Sequence, residues 1–139
     1  MKPMAGKKIL FIDDEDLVRE AISELLEHLG FEVKVERTGA EAVRTFADDP
    51  GAFDLVLTDL MMLDMRGDEI AEMIRSIRPS MPVVVMTGTP DNLPADKAKG
   101  LGICKVLGKP LTKAELGEGI RQALPHDFWR KGGRWSQAG

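Results

Sequence analysis

Apolar and polar positions along this chain follow two rhythms. Short, nearly continuous apolar runs at Lys8–Ile12, Phe53–Leu57, Val83–Met86 and Ile103–Leu107 have strand length and are too short for helices. Between them, apolar residues return every three or four positions. Leu17, Val18, Ala21, Ile22, Leu25, Leu26 and Leu29 do so from Asp16 onward, and Gly30 supplies a stop. Ala40, Val43, Phe46 and Ala47 predict the inner face of a second helix, opened by Thr38–Glu41 in the form of a capping box. Ile70, Met73, Ile74 and Ile77 predict a third over 68–78, ended by Pro79 and Pro82. Phe31–Val35 alternates apolar with charged residues, as a strand near a sheet edge does. The stretch 89–102 carries two prolines and two glycines, and predicts at most a short helix near 95–99. A second capping box, Thr112–Glu115, opens a last helix reaching about Leu124. Gly117 and Gly119 inside it each cost roughly 1 kcal/mol against Ala, so that helix is expected to be soft.

Five strands alternating with five helices through short connections imply right-handed crossovers and a parallel sheet covered on both faces, an α/β fold. One domain is expected over 1–125. Residues 126–139, with Phe128, Trp129 and Trp135 but no periodicity, are expected to be a flexible tail. The 139 residues carry a net charge of −4, which gives no drive toward nucleic acid or an anionic membrane. Cys104 is the one cysteine and has no intramolecular partner, so it reads as a small core residue in a reducing compartment. No apolar run approaches the ~18 residues of a membrane span, and a cytoplasmic location is expected. His28 and His126 read as surface residues. Met61, Met62 and Met65 read as packing under a loop, since thioethers do not suit hard cations.

The strand ends carry the chemistry. Asp13 and Asp14 close the first strand, Asp59 the third and Thr87 the fourth, while Lys109 follows the fifth. In a parallel sheet these residues share the carboxyl edge, where ligands sit in open α/β folds. Carboxylates ~4 Å apart repel by about 4 kcal/mol at an effective dielectric near 20. A hard cation offsets that repulsion, and clustered aspartate oxygens suit Mg²⁺. The same reasoning predicts that Mg²⁺ raises the melting temperature, and that Asp13→Ala raises it in metal-free protein. A carboxylate beside such a metal can attack phosphorus, while Lys109 and Thr87 meet the phosphoryl oxygens.

In this pattern the sequence resembles the receiver domains of two-component response regulators, over about residues 7–124. An acidic pair after strand one, an acid after strand three, a threonine after strand four and Lys-Pro after strand five all stand in order, and Gly67 matches as well. The resemblance implies a flavodoxin-like fold with strand order 2-1-3-4-5. It implies Asp59 as phosphoacceptor for a histidine kinase or phosphotransfer protein. Mg²⁺ would lie on Asp14, Asp59 and the Met61 carbonyl, and on Asp13 through water. Thr87 and Lys109 would contact the phosphoryl group, and Lys109–Pro110 would be cis. The chain would be a signalling phosphoacceptor that assists its own phosphorylation and dephosphorylation rather than an enzyme. It would be a monomer or weak homodimer with an output partner on the 87–124 face. It departs from the family at Leu63, where proline is frequent, and at Val106, where an aromatic switch residue is frequent. Signalling is therefore expected through the backbone of 88–102 and Lys105–Leu107. The 101–111 segment is most similar to receivers attached to hybrid sensor kinases, so an excised module is an alternative. An Asp-nucleophile phosphatase fits less well, because its Asp-x-Asp would follow the first strand. A flavodoxin-like nucleotide site would want a phosphate loop where Asp13–Asp16 stand. A docking module without chemistry would not need the intact acceptor set.

Overall fold

The computed structural model describes residues 7–124. The expected tail, with His126, Phe128, Trp129 and Trp135, lies outside them. Strands β1 (Lys8–Ile12), β2 (Glu32–Glu36), β3 (Leu55–Asp59), β4 (Val83–Thr87) and β5 (Ile103–Gly108) alternate with helices α1 (Asp16–His28), α2 (Gly39–Asp48), α3 (Gly67–Ile77), α4 (Ala95–Gly100) and α5 (Lys113–Ala123). All four strand pairings are parallel, in the order β2-β1-β3-β4-β5. This is the flavodoxin-like arrangement, and it sets β1, β3 and β4 side by side with every residue of β3 and β4 buried.

Alternation along each strand divides the core in two. Ile9, Phe11, Leu55, Leu57, Val84 and Met86 face α1 and α5, whose Leu26, Leu116 and Ile120 complete one layer. Leu10, Ile12, Val56, Val83 and Val85 face α2, α3 and α4, with Phe46, Ile70, Ile74 and Ala98 in the other. The edge strand β2 is half-exposed, as its charged alternation predicts.

Several inward residues differ from those expected. Leu17 is 81% exposed: it precedes Ile22 by five residues, which turns it about 140° off the buried stripe. In α2 the buried line is Gly39, Ala42 and Phe46, while Ala40 and Ala47 face solvent. In α3 it is Ile70, Ala71 and Ile74; Met73 flanks that line and Ile77 closes the helix at its rim, and both are exposed. Cys104 is exposed rather than buried. The β4–β5 register slips so that Val84 pairs with Lys105 directly after Val83 pairs with Ile103, leaving Cys104 out of the ladder.

Caps follow the sequence closely. Thr112 and Glu115 exchange backbone hydrogen bonds in a full capping box (3.1 and 2.9 Å). At α2, Thr38 Oγ1 accepts from Glu41 N, but the Glu41 carboxylate accepts from the Thr38 hydroxyl rather than its backbone N–H. The glycines of α5 have a packing reason that composition hides. A Cβ on Gly119 would stand 2.8 Å from both δ-carbons of Leu107, so an alanine there would oblige the Leu107 side chain to shift.

Gly67, the first residue of α3, is the tightest glycine beside the sheet edge. A Cβ there would stand 2.4 Å from the Asp59 carbonyl oxygen and 3.0 Å from Leu60 Cα. Those are backbone atoms held by strand pairing, so they cannot step aside. Gly67→Ala is expected to destabilise the domain by about 1–3 kcal/mol, the usual cost of overpacking a filled site. A thermal melt equal to that of the parent would contradict this.

Candidate functional site

The carboxyl ends of β1, β3, β4 and β5 deliver the site. Leu60 N–H donates to Met86 O (2.9 Å) and Lys109 N–H to Thr87 O (2.8 Å), so the pairing holds the exits of three strands together. Asp13, Asp14 and Asp59 each present a carboxylate oxygen, all within 4.8 Å of one another. Asp13 is fully buried and Asp59 is 5% exposed, while Asp14 is half-buried. Lys109 closes the cluster, with Nζ 2.9 Å from Asp59 Oδ1 and 3.3 Å from Asp13 Oδ2. The Lys109–Pro110 peptide bond is cis.

Electrostatics follow from burial and these contacts. Burial raises the Asp59 pKa; Lys109 pulls it back down, Asp13 and Asp14 push it up again, and the net direction is upward. Burial resists the charge on Lys109, yet Asp59 and Asp13 outweigh it and its pKa rises. The site thus holds a permanent cation against an acid that is unfavourably ionised.

Asp13 is held from two sides. Its Oδ1 accepts from Glu15 N–H (2.9 Å) and its Oδ2 from Lys109. Removing it would take a partner from both Glu15 N–H and Lys109, a cost that opposes the stability gain expected for Asp13→Ala from relieved repulsion. Asp14 Oδ2 accepts from Leu63 N–H (3.0 Å), tying the loop after β3 to β1.

Thr87 is 1% exposed, and its hydroxyl is engaged inside its own loop. Its Oγ1 accepts from Thr89 N–H (2.9 Å) and lies 3.2 Å from Thr89 Oγ1. Met62 and Met65 pack partly buried against the α2–α3 side of the core, as a packing role predicts. Met61 does not, being half-exposed with its sulfur 3.4 Å from Arg66 Nη1. Val106 is half-buried among the α4-side residues and has no ring to rotate.

Two supports were not legible in the sequence. Asp64 caps α2 from the loop after β3, accepting from Gly39 and Ala40 N–H at 3.1 and 3.0 Å across about 25 residues of chain. Asp68 is a buried acid between Arg66 and Lys97. No local spacing signals either; the acids look like ordinary loop and helix-start residues.

The oxygen donors fit a hard divalent cation such as Mg²⁺: they are carboxylates only, close together, at a sheet edge. No helix among the described residues is long and apolar enough to cross a membrane.

The response regulator receiver domain family model matches residues 9–121. The chain is 32% identical over 121 residues to the transcriptional regulator NtrC of Azospirillum brasilense, covering 87% of this chain and 25% of that one. It spans a quarter or less of the length of the first curated relatives it matches. Among solved structures it resembles a receiver domain protein from Clostridium thermocellum, with TM-score 0.78, 35% identity and coverage of 84% of this chain and 93% of that one. It also resembles the response regulator TrrA from Thermotoga maritima in complex with Mg²⁺ and BeF, with TM-score 0.76, 28% identity and coverage of 85% and 99%.

Proposed function

Because this chain belongs to the response regulator receiver domain family, we propose that its role as a signalling phosphoacceptor runs through Asp59. The observation that carries the reading is the convergence of Asp13, Asp14, Asp59 and Lys109, residues spread over almost a hundred positions, into one cluster. An Asp59 carboxylate oxygen attacks the phosphorus of a phosphohistidine on a histidine kinase or phosphotransfer protein. The new O–P bond forms as the P–N bond breaks, and its electron pair returns to the imidazole. Lys109 meets the charge on the transferring group, and Thr87 donates to one of its oxygens once its hydroxyl leaves Thr89. Asp14, Asp59 and the Met61 carbonyl, with Asp13 through water, would hold Mg²⁺. When bound, Mg²⁺ neutralises phosphoryl oxygens and organises the in-line geometry. The same groups would assist hydrolysis of the aspartyl phosphate, so the chain takes part in both its phosphorylation and its reset.

The output is read on the 87–124 face by a partner protein, and the chain acts as a monomer or weak homodimer in the cytoplasm. The complex with Mg²⁺ and BeF formed by the Thermotoga relative supports the metal assignment here. Incubation with acetyl phosphate and Mg²⁺ is expected to add the mass of one phosphoryl group, and a chelator is expected to prevent it. Uptake that ignores the chelator would defeat the metal-assisted reading.

Mg²⁺ alone is expected to stabilise the fold. At ten times its dissociation constant a ligand specific to the native state contributes about 1.4 kcal/mol, which for a domain of this size is a shift of roughly 4–7 °C. A melting temperature indifferent to millimolar Mg²⁺ but raised by salt in general would point to screening instead.

A further inference from the structure

Arg66 and Asp68 have no place in the phosphoryl chemistry above, yet they are joined to it. Asp68 is 5% exposed. Arg66 Nε lies 3.0 Å from its Oδ1 and Nη2 3.3 Å from its Oδ2, while Lys97 Nζ of α4 lies 3.5 Å from Oδ2. Burial resists charge on this carboxyl, but Arg66 and then Lys97 outweigh it and hold its pKa low. A guanidinium gripped at two points by a buried carboxylate is a fixed arm rather than a solvated side chain. Nη2 of that arm also donates to the main-chain oxygen of Asn92 in the β4–α4 loop (3.2 Å). Asn92 Nδ2 donates to Thr89 Oγ1 (3.0 Å), and Thr89 makes both contacts that occupy the Thr87 hydroxyl. An unbroken chain of polar contacts therefore runs from Asp68 to Thr87.

We propose that the Asp68–Arg66 pair is a latch: by holding Asn92 it keeps the Thr87 hydroxyl inside its own loop, and Thr87 turns to a phosphoryl group on Asp59 only when that hold is released. The inference rests on Asp59 being the acceptor. Its physical basis is competition for one oxygen. Thr87 Oγ1 must break from Thr89 N–H and Thr89 Oγ1 to re-aim, and the loop carrying Thr89 is restrained while the carbonyl of Asn92 is gripped. Arg66 stands in the loop after the acceptor strand and also touches the Met61 sulfur. Movement of the acceptor loop thus reaches Asn92 through one side chain, and α4 through Lys97. That route does not need an aromatic residue at position 106. Arg66 is on this view a positioning residue acting through Thr87.

Two variants test it in the full chain. Arg66→Gln removes the arm; Asn92→Ala, at an exposed position, cuts the chain nearer Thr87 without unpairing a buried acid. Each is made in the parent and in a Thr87→Ala background, and phosphorylation by acetyl phosphate with Mg²⁺ is timed by mass spectrometry. Each is expected to speed uptake about threefold or more in the parent, and to change it less than about 1.5-fold where Thr87 is absent, since coupled residues are not additive. Hydrogen exchange of the Thr89 amide in unphosphorylated protein should rise about tenfold, with the Leu57 amide in β3 unchanged. Equal rate effects in both backgrounds, no effect in the parent, or an unaltered Thr89 amide would overturn the latch alone. A parent that takes up no phosphoryl group would overturn the acceptor reading, and the latch with it.

Discussion

Asp59→Asn is expected to abolish phosphoryl uptake while raising the melting temperature of metal-free protein. The two effects have opposite signs because they come from the same carboxylate. On the proposed reading its oxygen is the nucleophile, and an amide cannot replace it. Its charge, however, lies buried beside Asp13 and Asp14, and its pKa is raised above the ordinary carboxylate value, first by burial. A raised carboxyl pKa means that the folded state prefers the protonated form. The associated stability is complete below the unfolded pKa and is lost as pH rises through the folded one, so above the folded pKa the fold carries the penalty in full. Asn keeps the shape without the charge, and Lys109 retains Asp13 as partner. A gain on the order of 1 kcal/mol, ordinary for relieving one strained site, is a rise of roughly 3–5 °C. The difference from the parent should be largest above the folded pKa and shrink as pH falls below it. Thermal melts across pH with mass spectrometry on the same samples measure both. A variant that still gains the phosphoryl mass would move the acceptor elsewhere, and one that melts lower than the parent would remove the repulsion from the account.

Lys109→Ala is expected to damage both properties, and to regain one of them with Mg²⁺. The ammonium stands between Asp59 and the fully buried Asp13, with 21% of its side chain exposed. Removing one member of a buried ion pair leaves an uncompensated charge and costs about 3–5 kcal/mol; its partial solvent contact favours the lower figure. The resulting fall in melting temperature is about 10 °C. A divalent cation among the same oxygens should recover a good part of it, more than the gain it produces in the parent. The rate of phosphorylation should not recover. Loss of a positioned donor facing developing charge typically slows a reaction by about 10²–10³, and a cation that restores the charge balance does not replace that hydrogen-bond donor. In the parent the raised Lys109 pKa keeps its stabilisation present below the unfolded lysine value, with loss only as pH climbs through the folded one. Full rate with lost stability would make Lys109 a structural residue, and the reverse would make it a catalytic one alone.

The chain order itself dictated the alternating strands and helices, the acids at the ends of β1 and β3, and the polar residues closing β4 and β5. It did so because apolar period and capping chemistry are local properties, and a parallel sheet built from such units must bring strand ends to one edge. Local patterns could not decide which side of each helix faces inward to within a turn. Leu17, Met73 and Cys104 were therefore placed wrongly, the last because a slipped register is invisible in a continuous apolar run. Nor could spacing reveal that Asp64 caps a helix 25 residues earlier, that Gly67 lies against the Asp59 carbonyl, or that Asp68 is buried. Those depend on where separate segments meet. The sequence thus determined which groups could perform phosphoryl chemistry. Only the tertiary structure decided their terms: Lys109 neutralises Asp13 as well as Asp59, and the Thr87 hydroxyl is held in its loop through Thr89. The physical reason is range. Periodicity reads over a few residues, whereas a charge, a close contact or a shared hydroxyl acts over a few ångströms between residues that the chain keeps far apart.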